Sequence, residues 1–142
     1  MVEEILHDNV LLAIIVSGRF REPGVHFFTP DHLSQQLAYM RHPAGKEIEA
    51  HVHNSIPRQV QYTQEVLILR KGKLRVDFYD QQRHYLKSRV LEGGDTVFLA
   101  AGGHGFEVLE EVEIIEVKQG PHAGPRDKVR IAAVDKSLVR FD

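Results

Sequence analysis

The chain has 142 residues, a formal net charge of −2, nine histidines and no cysteine. That length fits one domain with a buried core, and so small a charge gives no electrostatic reason to expect nucleic acid or an anionic membrane as a partner. Disulfides and thiolate metal sites are excluded, so any metal must be held by His, Asp and Glu.

The first residues lack a basic stretch followed by an apolar one and a small-residue cleavage site, so a cytoplasmic location is expected. Val10 to Val16 is a continuous apolar run of strand length, too short to span a membrane. Gly18 and Pro23-Gly24 break it, Val25 to Thr29 reads as a short strand, and Pro30-Asp31 stops that strand. Asp31 to Gln35 is expected to open a helical turn with Asp31 as its cap. Gln36 to Arg41 reads as extended, and Pro43-Ala44-Gly45 as a turn.

Ile48 to His53 alternates polar and apolar, Pro57 interrupts, and Val60 to Arg70 is a long strand candidate. Lys71-Gly72 reads as a tight turn into a strand from Leu74 to Tyr79, making a hairpin. The basic residues Arg70, Lys71, Lys73 and Arg75 then form a solvated edge at its tip. Asp80 to Arg83 is a polar turn, and Tyr85 to Leu91, Thr96 to Ala100 and Val112 to Lys118 complete the strands. Gly93-Gly94 and Gly102-Gly103-His104-Gly105 separate them, and 119 to 142 reads as an irregular tail with a short strand or a turn of helix. Many short strands at this spacing predict an all-β sandwich or barrel.

Three features carry chemistry. Side chains two apart on a strand share a face, so His51 and His53 are placed to bind one ion. An ordinary amphipathic strand with Glu47, Glu49, His51 and His53 in water fits the same pattern. Glu65 shares the face of Leu67 and Leu69, where a carboxylate needs compensation by a metal, by an arginine such as Arg58, or by water. His104 stands among small residues that let the backbone fold tightly and present the ring, although a plain glycine-rich turn has the same composition. His7, His26, His32, His84 and His122 are read as solvated surface residues.

Gly45, His51, His53, Glu65 and Gly72 together resemble the first cupin motif, G-x5-H-x-H-x3–4-E-x6-G. The departure is eleven residues between His53 and Glu65. Gly93 to His104 resembles the second motif, G-x5-P-x-G-x2-H-x3-N, with Leu99, Ala101 and Val108 in place of its Pro, Gly and Asn. The resemblance covers about residues 36 to 120 and implies a single cupin domain over 1–142. Its fold would be a jelly-roll β-barrel with short irregular N- and C-terminal extensions. By family pattern His51, His53, Glu65 and His104 would hold one divalent transition metal. The N and O donors suit Fe, Mn, Ni, Zn, Co or Cu. The inserted residues 54–64 are expected to form a loop at the barrel mouth, as a lid or as a tolerated insertion.

Tyr39, Arg41, Gln61, Phe78 and Phe106 are the expected substrate contacts, with Arg41 suited to a carboxylate or phosphate unless it is a solvated strand end. The implied function is a metal-dependent enzyme of dioxygenase or isomerase type. Its small-molecule substrate would be an oxygenated metabolite such as a sugar or keto acid. The alternatives are a ligand-binding or sensing cupin without catalysis, and a metal-free cupin acting on nucleotide sugars. If His51 and His53 face inward, Ile48, Ala50 and Val52 face outward and need a cover. Val10 to Val16, from this chain or a partner, is the expected cover, and with the family's habit of dimerising it points to a homodimer.

Overall fold

The computed structural model describes residues 1–142, which divide into two units: Met1–Phe20 with Tyr62–Asp142, and Arg21–Gln61. The protein is nearly all β.

The larger unit is one curled, half-barrel antiparallel sheet. β1 (Val2–His7) and β2 (Val10–Val16) form a hairpin. Its two turn residues, Asp8 at φ 49° and Asn9 at φ 63°, have the positive dihedrals that let a two-residue turn follow the strand twist. β1 is not evident in the sequence because Glu3 and Glu4 break its apolar pattern, leaving Ile5 as its one buried residue. The remaining strands are β5 (Glu65–Tyr79), β6 (Tyr85–Glu92), β7 (Thr96–Leu99) and β8 (Gly103–Lys118). The order is β1-β2-β7-β5-β6, with β8 on the other side of β5. β5 is long enough to take two neighbours on one side, β7 along Glu65–Ile68 and β6 along Lys73–Tyr79.

β2 lies between β1 and β7, with Leu12, Ala13 and Ile14 at most 2% exposed. It is therefore an internal strand of its own sheet, paired along both edges. The core packs Ile5, Leu12, Leu67, Leu69, Leu74, Val76, Phe78, Leu91, Val97 and Leu99.

The expected hairpin at Lys71-Gly72 does not form. The chain stays extended through it, and pairing with β8 shifts register between Leu69 and Lys71 and again on both sides of Lys73. Before this bulge Leu67 and Leu69 face the core, and after it Leu74, Val76 and Phe78 do. The bulge reverses the parity of the inward positions and bends the strand. Gly72 makes this possible, having φ 91° and a Cα packed against the Glu111 carbonyl. The basic residues therefore lie mid-strand and meet acids on β8. Lys71 Nζ is 4.0 Å from Glu111, Lys73 Nζ 3.4 Å from Glu110, and Arg75 Nη1 2.6 Å from Glu107.

Residues 119–142 are irregular, with 3-10 turns at Gly124–Arg126 and Lys136–Leu138. The tail is anchored to the sheet: Ser88 N donates to Arg140 O at 2.6 Å, and Val134 N to the Tyr79 hydroxyl at 2.9 Å.

The smaller unit holds β3 (Gly24–Phe27) paired with β4 (Ala38–Arg41), placing His26 opposite Tyr39. Between them Asp31–Gln35 forms turns and bends, with no helix. There the Gln36 amide donates to Pro30 O and Leu33 O, satisfying carbonyls that a helix would have used itself. The expected strand Ile48–His53 does not form, and the one expected over Val60–Arg70 begins only at Glu65. Every residue from 43 to 63 is exposed, and none from 46 to 64 is in a strand.

Candidate metal and ligand site

Glu65 opens β5 on the face that carries Leu67 and Leu69, as its spacing predicts. His104 lies near the start of β8, opposite the inward Phe78. These residues belong to opposite ends of the β5–β8 ribbon, because Glu65 itself pairs with Lys118. The ribbon curls so that its ends meet, and Glu65 Oε2 lies 3.6 Å from His104 Nε2. The glycines before His104 let the start of β8 lie close against Tyr79. Gly102 has φ 72°, and a Cβ there would strike the Tyr79 carbonyl. A Cβ on Gly103 would lie 3.2 Å from Tyr79 Cβ and 3.0 Å from Ile131.

Both groups are pushed toward their neutral forms. Burial raises the Glu65 carboxyl above its ordinary value; Glu116 and Asp127 reinforce this, and Lys118 and Lys128 oppose it. Burial lowers the His104 imidazole, with Lys128 in the same sense and Glu116 opposing. A neutral imidazole is the form that offers a lone pair to a metal or a proton. Glu116, Lys118, Asp127 and Lys128 were not singled out in the sequence. They lie more than 50 positions after Glu65 and have no shared spacing with it.

Hydrogen bonds fix the rim. Thr63 Oγ1 donates to Asp127 Oδ1 at 2.5 Å, Gln64 N donates to Gln119 Oε1 at 2.6 Å, and Lys118 Nζ lies 3.8 Å from Asp127 Oδ2. The Phe106 ring is 5.3 Å from the His104 ring and 43% exposed, an apolar wall beside the pair.

The four predicted ligands thus fall into two pairs, one in each unit. His51 and His53 are exposed and lie on irregular chain, so no strand gives them a common face. Their rings nevertheless sit edge-on, 5.3 Å apart. His51 Nδ1 is 2.7 Å from Glu49 O. A carbonyl only accepts, so Nδ1 is the donor in this contact, and the neutral ring then offers Nε2 as its acceptor, an arrangement common in metal-binding histidines. No group of three or more His, Asp or Glu side chains converges in a ligating geometry.

Of the expected substrate contacts, Phe78 is corrected: it is 1% exposed and part of the core, because the bulge turns it inward. Tyr39 and Arg41 are on β4, where the Arg41 guanidinium donates to Arg21 O at 2.6 Å, and Gln61 is exposed. His84 is exposed, as expected, and His7 is partly covered. Both face Asp80 Oδ2, at 3.6 and 3.4 Å. A cleft lined by Met1, Val2, Glu3, Arg89 and Leu91, among others, contains none of the candidate residues. The chain matches no family model, no curated protein and no solved structure.

Proposed function

We propose that this is a cupin-like protein that binds a divalent transition metal at Glu65 and His104 and acts on a small oxygenated metabolite such as a sugar or keto acid. The supporting observation is the contact between one carboxylate oxygen and one imidazole nitrogen at the mouth of a curled sheet. An ion bonded at about 2.0–2.1 Å to both would place them roughly 3.0–3.4 Å apart, depending on its geometry, so the observed separation needs only a small adjustment. In the smaller unit the cupin-like spacing marks His51 and His53 as a second pair of candidate ligands, and the Nδ1 contact of His51 suits that role.

With the metal bound, such a site supplies Lewis acidity and open positions for oxygen ligands. The chain's own residues do the rest. Glu65 contributes negative charge, His104 contributes a neutral donor, Phe106 excludes water on one side, and Lys118 and Lys128 offset Glu116 and Asp127. An enzyme of dioxygenase or isomerase type is the favoured activity. A second reading has one observation in its favour: only two candidate ligands converge. Without metal, the Glu65–His104 pair is an acid–base couple suited to proton transfer on a nucleotide sugar.

Elemental analysis of protein purified without a metal-affinity tag separates the two. The expected result is about one transition metal per chain, lost in His104→Ala and reduced in Glu65→Gln. Protein that stays metal-free after metal is added back defeats the metal reading and leaves the acid–base one.

A further inference from the structure

The chain carries two unpaired β surfaces. The first is the outer edge of β8, sixteen residues long and paired with β5 on one side only. Phe106, Val108, Leu109, Ile114, Ile115 and Val117 on this strand are 39–57% exposed. A long apolar edge invites another strand to pair with it. The second is the segment 46–61, sixteen residues with no partner strand in its own chain. Its start alternates Ile48, Ala50 and Val52 with Glu49, His51 and His53, and Ile48 and Val52 are 64% and 89% exposed. An alternating sequence is written to sit in a sheet with one face covered.

Charge selects the pairing. β8 carries five glutamates and one lysine, so β8 against a second β8 would oppose like charges. Residues 46–61 carry Lys46, Arg58, Glu47 and Glu49 and are formally neutral. Glu107, Glu110 and Glu111 already face Arg75, Lys73 and Lys71 on β5, so a neutral strand can approach the free edge. Pro57 fits because the added strand becomes the new edge, where a missing N–H is tolerated.

We propose that the protein forms a reciprocal strand-exchange dimer in which residues 46–61 of each copy pair with the free edge of β8 in the other, bringing the partner subunit's His51 and His53 to the Glu65–His104 pair. A two-fold axis makes the exchange mutual and closes the assembly at two copies. Both ends of β8 reach the site, since His104 is at one end and Lys118, opposite Glu65, is at the other. The dimer stands on the two unpaired surfaces alone; the sharing of histidines rests on the metal reading above.

Two measurements test it. Light scattering on the intact chain is expected to give the dimer mass, and Ile48→Asp/Val52→Asp is expected to give a monomer that still unfolds cooperatively, with a small loss of β signal as 46–61 leaves the sheet. A monomeric wild type, or a dimer that survives this double substitution, overturns the exchange. For the shared site, His51→Ala/His53→Ala is co-refolded with Glu65→Gln/His104→Ala, and zinc content is measured. Each variant alone is expected to lose zinc. Random pairing gives half heterodimers with one intact site each, so the mixture recovers about a quarter of wild-type content. No recovery, with wild type still binding zinc, overturns the shared site. A wild-type dimer that binds no zinc defeats the metal reading and leaves the exchange supported by mass.

Discussion

Glu65 Oε2 and His104 Nε2 are 3.6 Å apart, although the strand partner of His104 is Phe78, thirteen residues along β5 from Glu65. A straight strand would separate those positions by about 43 Å at roughly 3.3 Å per residue. The contact therefore exists because the β5–β8 ribbon bends, and its bulge is centred on Gly72.

Gly72→Ala should lower stability by about 2 kcal/mol or more, because the residue has φ 91° and the new methyl would press on the Glu111 carbonyl. Gly45→Ala is the control: φ is 86° but nothing lies within 4 Å, so about 1 kcal/mol of backbone strain is expected. Urea midpoints of the two variants provide the comparison, and equal losses would refute a special role for the bulge.

Phe78→Ala should cost about 3–5 kcal/mol by leaving a cavity in the core. Phe78→Leu should cost less and leave metal content unchanged. Altered metal or ligand binding in a folded Phe78→Leu protein would return this residue to the site.

Arg75, Asp77 and Ser88 form a polar network within the sheet. Arg75 Nε donates to Asp77 Oδ1 at 2.8 Å, and Ser88 Oγ donates to the same oxygen at 2.5 Å. Arg75→Met leaves Asp77, 4% exposed, without both hydrogen bonds from the guanidinium. About 2–3 kcal/mol should be lost, less than for a fully enclosed pair because Arg75 reaches the rim. Arg75→Met/Asp77→Asn should recover part of that loss. A double-mutant cycle showing simple additivity would mean that the pair is not coupled.

Asp80 should make stability fall at acid pH. Its carboxylate accepts from His84 N at 2.8 Å and Gln82 N at 2.9 Å, and the bond from His84 is the main cause of its lowered pKa. A folded pKa below the unfolded value of about 3.9 means the stabilisation is complete above that value and lost as pH falls through the folded one. The melting temperature of the wild type should drop more steeply below about pH 4 than that of Asp80→Asn. Parallel curves would show that Asp80 does not carry the effect.

The all-β class of the fold was legible in the order of residues alone. β2 occupies the predicted residues Val10–Val16, β6 and β7 lie where their runs fall between turn residues, and Glu65 shares the face of Leu67 and Leu69. The small residues before His104 also proved to be a close-approach signal, through Gly102 and Gly103. These are local properties: the two-residue period and the steric limits of each backbone position can be read without a partner. It took the strand pairing to make Lys71-Gly72 a bulge, to turn Phe78 inward, to bring Glu65 to His104 beside Glu116 and Lys118, and to leave 46–61 with no strand partner in its own chain. Each of those depends on which strand lies alongside, and an alternating pattern specifies a face without specifying the neighbour that pairs with it.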